Sequence, residues 1–203
     1  MRRQLLPALV MTLCLTVLTG IAYPLAVSEA SSVLFPGKAK GSFVKVDGRV
    51  VGSSLLGQNF KDPKYFWPRP SAAGTDGYDG LASAGTNLGP SNQKLIDAVT
   101  ERVAAYRETN HLGSNEPVPV DAVTASASGL DPQISVANAL LQAGRVADTR
   151  GLTRNNVLAL VKANTQKRSF GVLGEDGVNV LELNLALDRA GRSSRGTPPN
   201  PRP

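Results

Sequence analysis

Histidine and cysteine are nearly missing from this chain of 203 residues, which carries one of each, His111 and Cys14. A single thiol cannot close an internal disulfide, and one imidazole with one thiolate cannot build a His/Cys metal cluster. Aromatic residues make up only 5%, so platforms for stacking nucleic-acid bases are few. Charge of one sign is also missing where it would count. The formal net charge is +6, from 22 Lys+Arg against 16 Asp+Glu. Yet Arg2 and Arg3 lie at one end and Arg189, Arg192, Arg195 and Arg202 at the other, and the body between them is neutral. A neutral body has no basic face to track a phosphate backbone, so nucleic acid is not an expected partner.

Catalytic signatures are missing as well. The chain has no G-x-x-x-x-G-K-[ST] loop, no G-x-G-x-x-G after a strand, and no G-x-S-x-G elbow. His111 lies in a polar, glycine-flanked stretch, and no spacing among the acids singles out an acid–base pair. No catalytic and no metal-ligating residue is expected. The length fits one domain of about 150 residues plus extra segments.

What is present begins with an uncharged run of twenty-three residues, Leu5 to Val27. As a helix it would be roughly 34 Å long, enough to cross a hydrocarbon core. A cleaved signal peptide is the other reading, with small residues at Ala26-Val27-Ser28 and Ser28-Glu29-Ala30. The run exceeds the usual signal-peptide core, which favours an uncleaved anchor. Arg2 and Arg3 precede it, and the positive-inside rule then keeps the N-terminus cytoplasmic and exports the rest. The resulting division is a cytoplasmic stub at 1–4, a membrane helix at 5–27, a juxtamembrane connector at 28–40, an extracytoplasmic domain at 41–190 and a disordered basic tail at 191–203. Gly20 offers a small surface for close approach of a partner helix, and Cys14 falls in mid-span.

The exported part reads as α+β, with one hairpin and about three to four helices. Phe43–Val46 and Arg49–Val51 flank Asp47-Gly48, the pair that a type I′ turn prefers. Residues 71–91 are glycine-rich and without periodicity, a loop long enough to suggest binding or disorder. Ser91 can cap a helix to about Thr109, with Leu95, Val99, Val103 and Tyr106 on its inner stripe. Asp131-Pro132 predicts a second helix to about Val146, with Ile134, Ala137 and Leu141 inward. Thr153 can cap a third helix through Val157, Leu160 and Val161. Val178–Leu187 fits a strand by alternation and a buried helix by composition.

One cluster suggests binding. Tyr65-Phe66-Trp67 precedes Arg69, three consecutive aromatics cannot all face one core, and Trp, Tyr and Arg are enriched at interface hot spots. One or two core aromatics beside a proline turn is the structural alternative. Either way, the residues describe an anchored domain built for binding.

Several segments together resemble the KdpC-type subunit of the bacterial potassium-transporting P-type ATPase. They are Gly52-SSLLGQNF, Tyr65-FWPRPSA, Ser83-AGTNLGPSN, Val123-TASASGLDPQIS and Val178-NVLELNLALD, in that family's order behind a single N-terminal span. The resemblance covers about residues 5–188. It departs at Ala127, Gln133 and Val136, where the family usually has glycine, histidine and proline. Ser83–Asn87 and Glu175–Gly177 also differ from the usual serine-glycine-glycine-serine-asparagine and glutamate-proline-arginine.

The resemblance implies an accessory, non-catalytic subunit of a K⁺-uptake complex. A channel-like partner would conduct K⁺ and a P-type partner would hydrolyse ATP with Mg²⁺, and no cofactor is expected on this chain itself. It also implies a chaperone-like role in raising the partner's ATP affinity, and nucleotide binding has been ascribed to the family. Export of the domain and the lack of a phosphate-cradling loop argue against direct contact with cytoplasmic ATP. The expected docking surface comprises Tyr65, Phe66, Trp67 and Arg69, the loop with Asn87, Ser91 and Asn92, and Ser126, Ser128 and Asp131. The competing reading is a stand-alone anchored periplasmic binding protein or enzyme.

Overall fold

A computed structural model describes residues 2–195, which fall into two compact units, Met1–Ser53 and Ser54–Pro203. Each is described by itself.

The first unit opens with a continuous helical rod. Helix α1 spans Arg2–Val17, a π-helical turn spans Leu18–Ala22, and α2 spans Tyr23–Leu34. Within Arg3–Leu34 an eighteen-residue run reaches a mean hydropathy of 2.2, apolar enough to cross a membrane, and none of that run is buried within the protein. Pro24 accounts for the π turn. It has no N–H to donate to the carbonyl four residues back, at Gly20, and its ring crowds that carbonyl. The ladder shifts by one residue, so that the Tyr23 N–H donates to the Leu18 carbonyl. Ser28–Leu34, read from sequence as connector, continues the helix. It stops at Phe35, which takes φ −137° before Pro36, as the proline ring disfavours the helical region for the residue before it.

A short helix α3, Pro36–Ala39, leads to an antiparallel hairpin of β1, Phe43–Val46, and β2, Arg49–Ser53. Asp47 and Gly48 have φ of 50° and 78°, the positive pair that the sequence predicted for this turn. A bulge interrupts the register between Val44 and Lys45.

In the second unit, residues 54–92 contain no helix or strand. Regular structure starts at α4, Gln93–Thr109, then α5, Val120–Val123, and β3, Gln133–Ser135. Helices α6, Val136–Arg150, and α7, Arg154–Ala163, follow, then β4, Thr165–Gln166, β5, Gly177–Asn179, and α8, Val180–Arg195. The three strands form an antiparallel sheet in the order β3-β5-β4. Phe66, Ile134, Val146, Val157, Val161, Val178, Leu183 and Leu187 pack into one core, and each large side chain contributes about 1.5–3 kcal/mol by leaving water.

Four local readings are corrected here. The helix expected from Asp131-Pro132 starts later, because Gln133–Ser135 pairs with Gly177–Asn179 as strand. Ser135 caps α6 instead, its hydroxyl accepting the Asn138 N–H at 3.1 Å, while the Asp131 carboxylate accepts the Gln133 N–H at 3.0 Å. Asn92, not Ser91, caps α4 by accepting the Lys94 N–H at 2.9 Å. The buried face of α6 holds Asn138, Ala139, Gln142, Ala143, Arg145 and Val146, whereas Ala137 is exposed. Finally, α8 continues through Arg195, so Gly191–Arg195 of the expected tail is helical. The rest of that tail, 196–203, lies outside the described residues. The Val178–Leu187 ambiguity resolves as both structures in turn. The strand ends at Asn179, whose side chain accepts the Glu182 N–H at 3.1 Å and starts α8.

Candidate functional site

The segment Tyr65–Pro70 belongs to no helix or strand, so its backbone polar groups need other partners. Two side-chain amides supply them. The Phe66 N–H donates to Asn184 Oδ1 at 2.8 Å, and Asn184 Nδ2 donates back to the Phe66 carbonyl at 3.0 Å. One residue on, the Trp67 N–H donates to Gln142 Oε1 at 2.7 Å, and Gln142 Nε2 donates to the Trp67 carbonyl at 3.1 Å. Each amide thus exchanges both bonds with one residue, as a facing strand residue would. Asn184 comes from α8 and Gln142 from α6.

Behind this clamp lies a connected polar network. Gln142 Nε2 also donates to Asn138 Oδ1 at 2.8 Å, which accepts the Tyr106 hydroxyl at 2.8 Å. Asn138 Nδ2 donates to Asp121 at 2.9 Å, and Asp121 accepts both the N–H and the hydroxyl of Ser135 at 2.8 Å. Arg145, 5% exposed, is the hub. It donates to Gln142 Oε1 at 2.8 Å, Asn110 Oδ1 at 3.0 Å and the Tyr65 carbonyl at 3.0 Å, and also to the Pro63 carbonyl. Its guanidinium lies 4.5 Å from the centre of the Trp67 ring. Among the described residues no carboxylate pairs with it. Burial, slightly offset by Tyr106, pulls its pKa down to about 10. It stays protonated at neutral pH, held by dipoles and a π face.

The other aromatics are similarly engaged. Phe66 has no exposed surface and sits in the core, which corrects its expected role in docking: a fully enclosed ring presents nothing to a partner. Half-buried Tyr65 donates to Asp188 Oδ2 at 3.0 Å, and Asp188 pairs with Arg150 at 2.8 Å. Burial, then the Asp188 bond, raises the Tyr65 pKa above its ordinary value. Arg69 pairs with Asp131 at 2.8 Å, and its buried Nε has no hydrogen-bond partner.

The loop serines act on their own backbone. Ser126 accepts the Gly129 N–H at 2.9 Å, Ser128 accepts the Leu130 N–H at 3.1 Å, and Ser83 donates to the Ser128 carbonyl at 2.9 Å. Gly129 itself has φ +67°, and a Cβ there would lie 2.6 Å from the Ala84 carbonyl oxygen. Arg69, Asp131, Ser126 and Ser128 line one shallow recess with Leu55 and Leu56. Asn87 and Ser91 are exposed and take no part in these bonds, and Asn92 is committed to its helix cap.

Trp67 and Arg69 also border a cleft of about 490 Å³, walled by Tyr78, Arg102 and Tyr106. Tyr78 closes one side by donating to the Arg69 carbonyl at 2.7 Å. Burial first, and the nearby Asp131 charge second, raise the Tyr78 pKa. Among the described residues no group of three or more His, Cys, Asp or Glu could hold a metal ion. His111 is exposed, with φ 54°, just beyond the end of α4.

Sequence reasoning missed Asn138, Gln142, Arg145 and Asn184. The first three recur at helical spacing along α6, but a polar stripe of that period also describes a solvated face. Asn184 stood inside one of the quoted segments, without a role.

Comparison with known proteins places this geometry in context. A family model described as "K+-transporting ATPase, c chain" matches residues 5–189. The "Potassium-transporting ATPase KdpC subunit" of Mycobacterium tuberculosis is 58% identical over 189 residues, covering 93% of this chain and 100% of that protein. Its namesake in Sorangium cellulosum is 56% identical over 190 residues, covering 94% and 100% respectively. That of Polaromonas naphthalenivorans is 55% identical over 188 residues, covering 93% and 95%.

Proposed function

We propose, since this chain belongs to the KdpC family of K⁺-transporting ATPase subunits, that it is the accessory subunit holding such a complex together at the membrane. The observation that carries this reading is the near full-length relationship to subunits named for potassium transport. Two features of the chain support it. The large apolar residues of Arg3–Leu34, Leu5 through Leu34, are exposed within the protein, so lipid or partner helices must cover them. The domain's buried amides and the Arg145 guanidinium are hydrogen-bonded to one another and to the Tyr65–Trp67 backbone, in a framework that fixes shape.

In this proposal the N-terminus is cytoplasmic and the domain extracytoplasmic, docked on a channel-like K⁺-conducting subunit. The outer edges of Tyr65, Trp67 and Arg69, with Ser126, Ser128 and Asp131 and the loop of Asn87–Asn92, contribute to docking. Gly20 is where a partner helix approaches closely. A P-type subunit hydrolyses ATP with Mg²⁺, and this chain raises its ATP affinity without touching the nucleotide. Such an effect requires coupling through the membrane helix or through the other subunits.

The test is reconstitution of the complex with and without this chain, followed by K⁺-dependent ATP hydrolysis at graded ATP. Loss of assembly, or assembly with a markedly raised KM for ATP, is the expected result. Unchanged assembly and unchanged KM would reject the proposal.

A further inference from the structure

In the second unit, three large apolar residues are exposed together in the turn joining β4 to β5. Within four residues, Phe170, Val172 and Leu173 are 93%, 76% and 60% exposed. Isolated exposed apolar residues need no explanation, but three large ones at one tip do.

The tip has a defined shape. Ser169 and Leu173 exchange two backbone hydrogen bonds, at 3.0 and 2.9 Å, and the Gly171 N–H donates to the Arg168 carbonyl at 3.1 Å. At its base Lys167 pairs with Asp176 at 2.6 Å, and the same carboxylate accepts the Arg168 N–H at 3.1 Å. Phe170 takes φ 55°, a backbone region that a bulky side chain rarely enters. The turn therefore holds an aromatic ring outward against its own conformational preference.

We propose that this tip is a docking knob that seats in an apolar, uncharged socket on a protein partner within the complex. The inference rests on the subunit reading above. Charge selects protein over lipid. Lys167 and Arg168 are matched by Glu175 and Asp176, so the turn carries no net charge to draw it toward anionic headgroups. Shape points the same way, since a braced turn fits a fixed cavity, whereas a fluid bilayer rewards apolar area without requiring a shape.

The experiment uses the full-length chain in the reconstituted complex, captured through a tag on the ATP-hydrolysing subunit. Retention of this chain on extended washing is compared with that of the variant Phe170→Ser, Val172→Ser, Leu173→Ser. A loss of retention of about thirtyfold is expected, in the range of a hot-spot cluster. The thermal unfolding midpoint of the isolated full-length variant should not move, because the tip is outside the core. Undiminished retention overturns the knob while leaving the subunit reading intact. Failure to capture even the unaltered chain rejects the subunit reading and the knob with it.

A second arm replaces Cys14 by Ser and Phe170 by Cys, and labels the new thiol with an environment-sensitive fluorophore. An apolar emission in the complex, unaffected by spin-labelled lipids, supports the proposal. Quenching by those lipids assigns the tip to the bilayer, and a water-like emission leaves it uncovered; either result overturns the proposal.

Discussion

Asn184 and the backbone of Phe66, separated by 118 positions, exchange two hydrogen bonds inside the core. The pair joins an irregular segment to the last helix with the bonding pattern of a sheet. Replacing Asn184 by Leu leaves the Phe66 N–H and carbonyl buried without partners. A loss of about 2–4 kcal/mol is expected, read as a lowered urea midpoint with unchanged slope. Asn184→Asp should be at least as damaging, since it adds a buried carboxylate facing a carbonyl oxygen.

Arg145 supports the same segment from the opposite side. Arg145→Met removes the donors to Gln142, Asn110 and the Tyr65 carbonyl together, and should cost about 3 kcal/mol or more. Arg145→Lys retains the charge but not the planar fork or its stacking on Trp67, and should fall between the two. The change in Trp67 fluorescence, the only tryptophan in the chain, reports whether the stack is lost before global unfolding.

Alkaline pH should weaken the fold from about pH 10 upward. Tyr65, Tyr78 and Tyr106 all have pKa values raised above 10.0, in each case chiefly by burial. The folded state therefore keeps protons that the unfolded state releases. That stabilisation is complete below pH 10 and is lost as pH climbs through the folded values. Arg145, lowered to about 10 from 12.5, acts with the opposite sign over that interval, one group against three. Phenolate absorbance followed alongside unfolding checks the order, and Tyr106→Phe should flatten the pH dependence.

Gly129→Ala tests the loop packing. The new Cβ would lie 2.6 Å from the Ala84 carbonyl oxygen and 2.8 Å from the Ala73 nitrogen, at φ +67°. Backbone strain alone is worth about 1–3 kcal/mol, and the close contacts add to it. Denaturant titration should show at least that loss.

Orientation can be read with a thiol. Leu81 is 99% exposed, so Leu81→Cys in a Cys14→Ser background should react in intact cells with a reagent that cannot cross the inner membrane. Labelling only after lysis would place the domain on the cytoplasmic side and reject the proposed topology.

The hairpin at Asp47-Gly48, the Thr153 cap and the α4 stripe were legible because each depends on residues within one or two turns of one another. The start of α6 was not. Asp131-Pro132 is a sound local helix signal, and only Gly177–Asn179, distant in sequence, makes Gln133–Ser135 a strand. The aromatic run stood out in the sequence, yet the side chains that hold it could not be named from there. Gln142 and Arg145 carry polar side chains whose burial depends on what α6 packs against. The exposed tip at Phe170 gave no sequence signal, because three apolar residues in a glycine-bordered stretch equally suit a core strand.

Strand pairing is blind to side chains, and a strand can slide by two residues and still find partners. The amide clamp on Phe66 and Trp67 cannot slide. Each backbone position is addressed by a particular side chain from a particular helix, so the segment has one register. A single inserted or deleted residue between Tyr65 and Pro70 would misalign both amides at once. Tolerance for length change in this half of the chain therefore falls outside the clamp, on exposed stretches such as residues 79–82, and the clamp acts as the ruler from which the rest is measured.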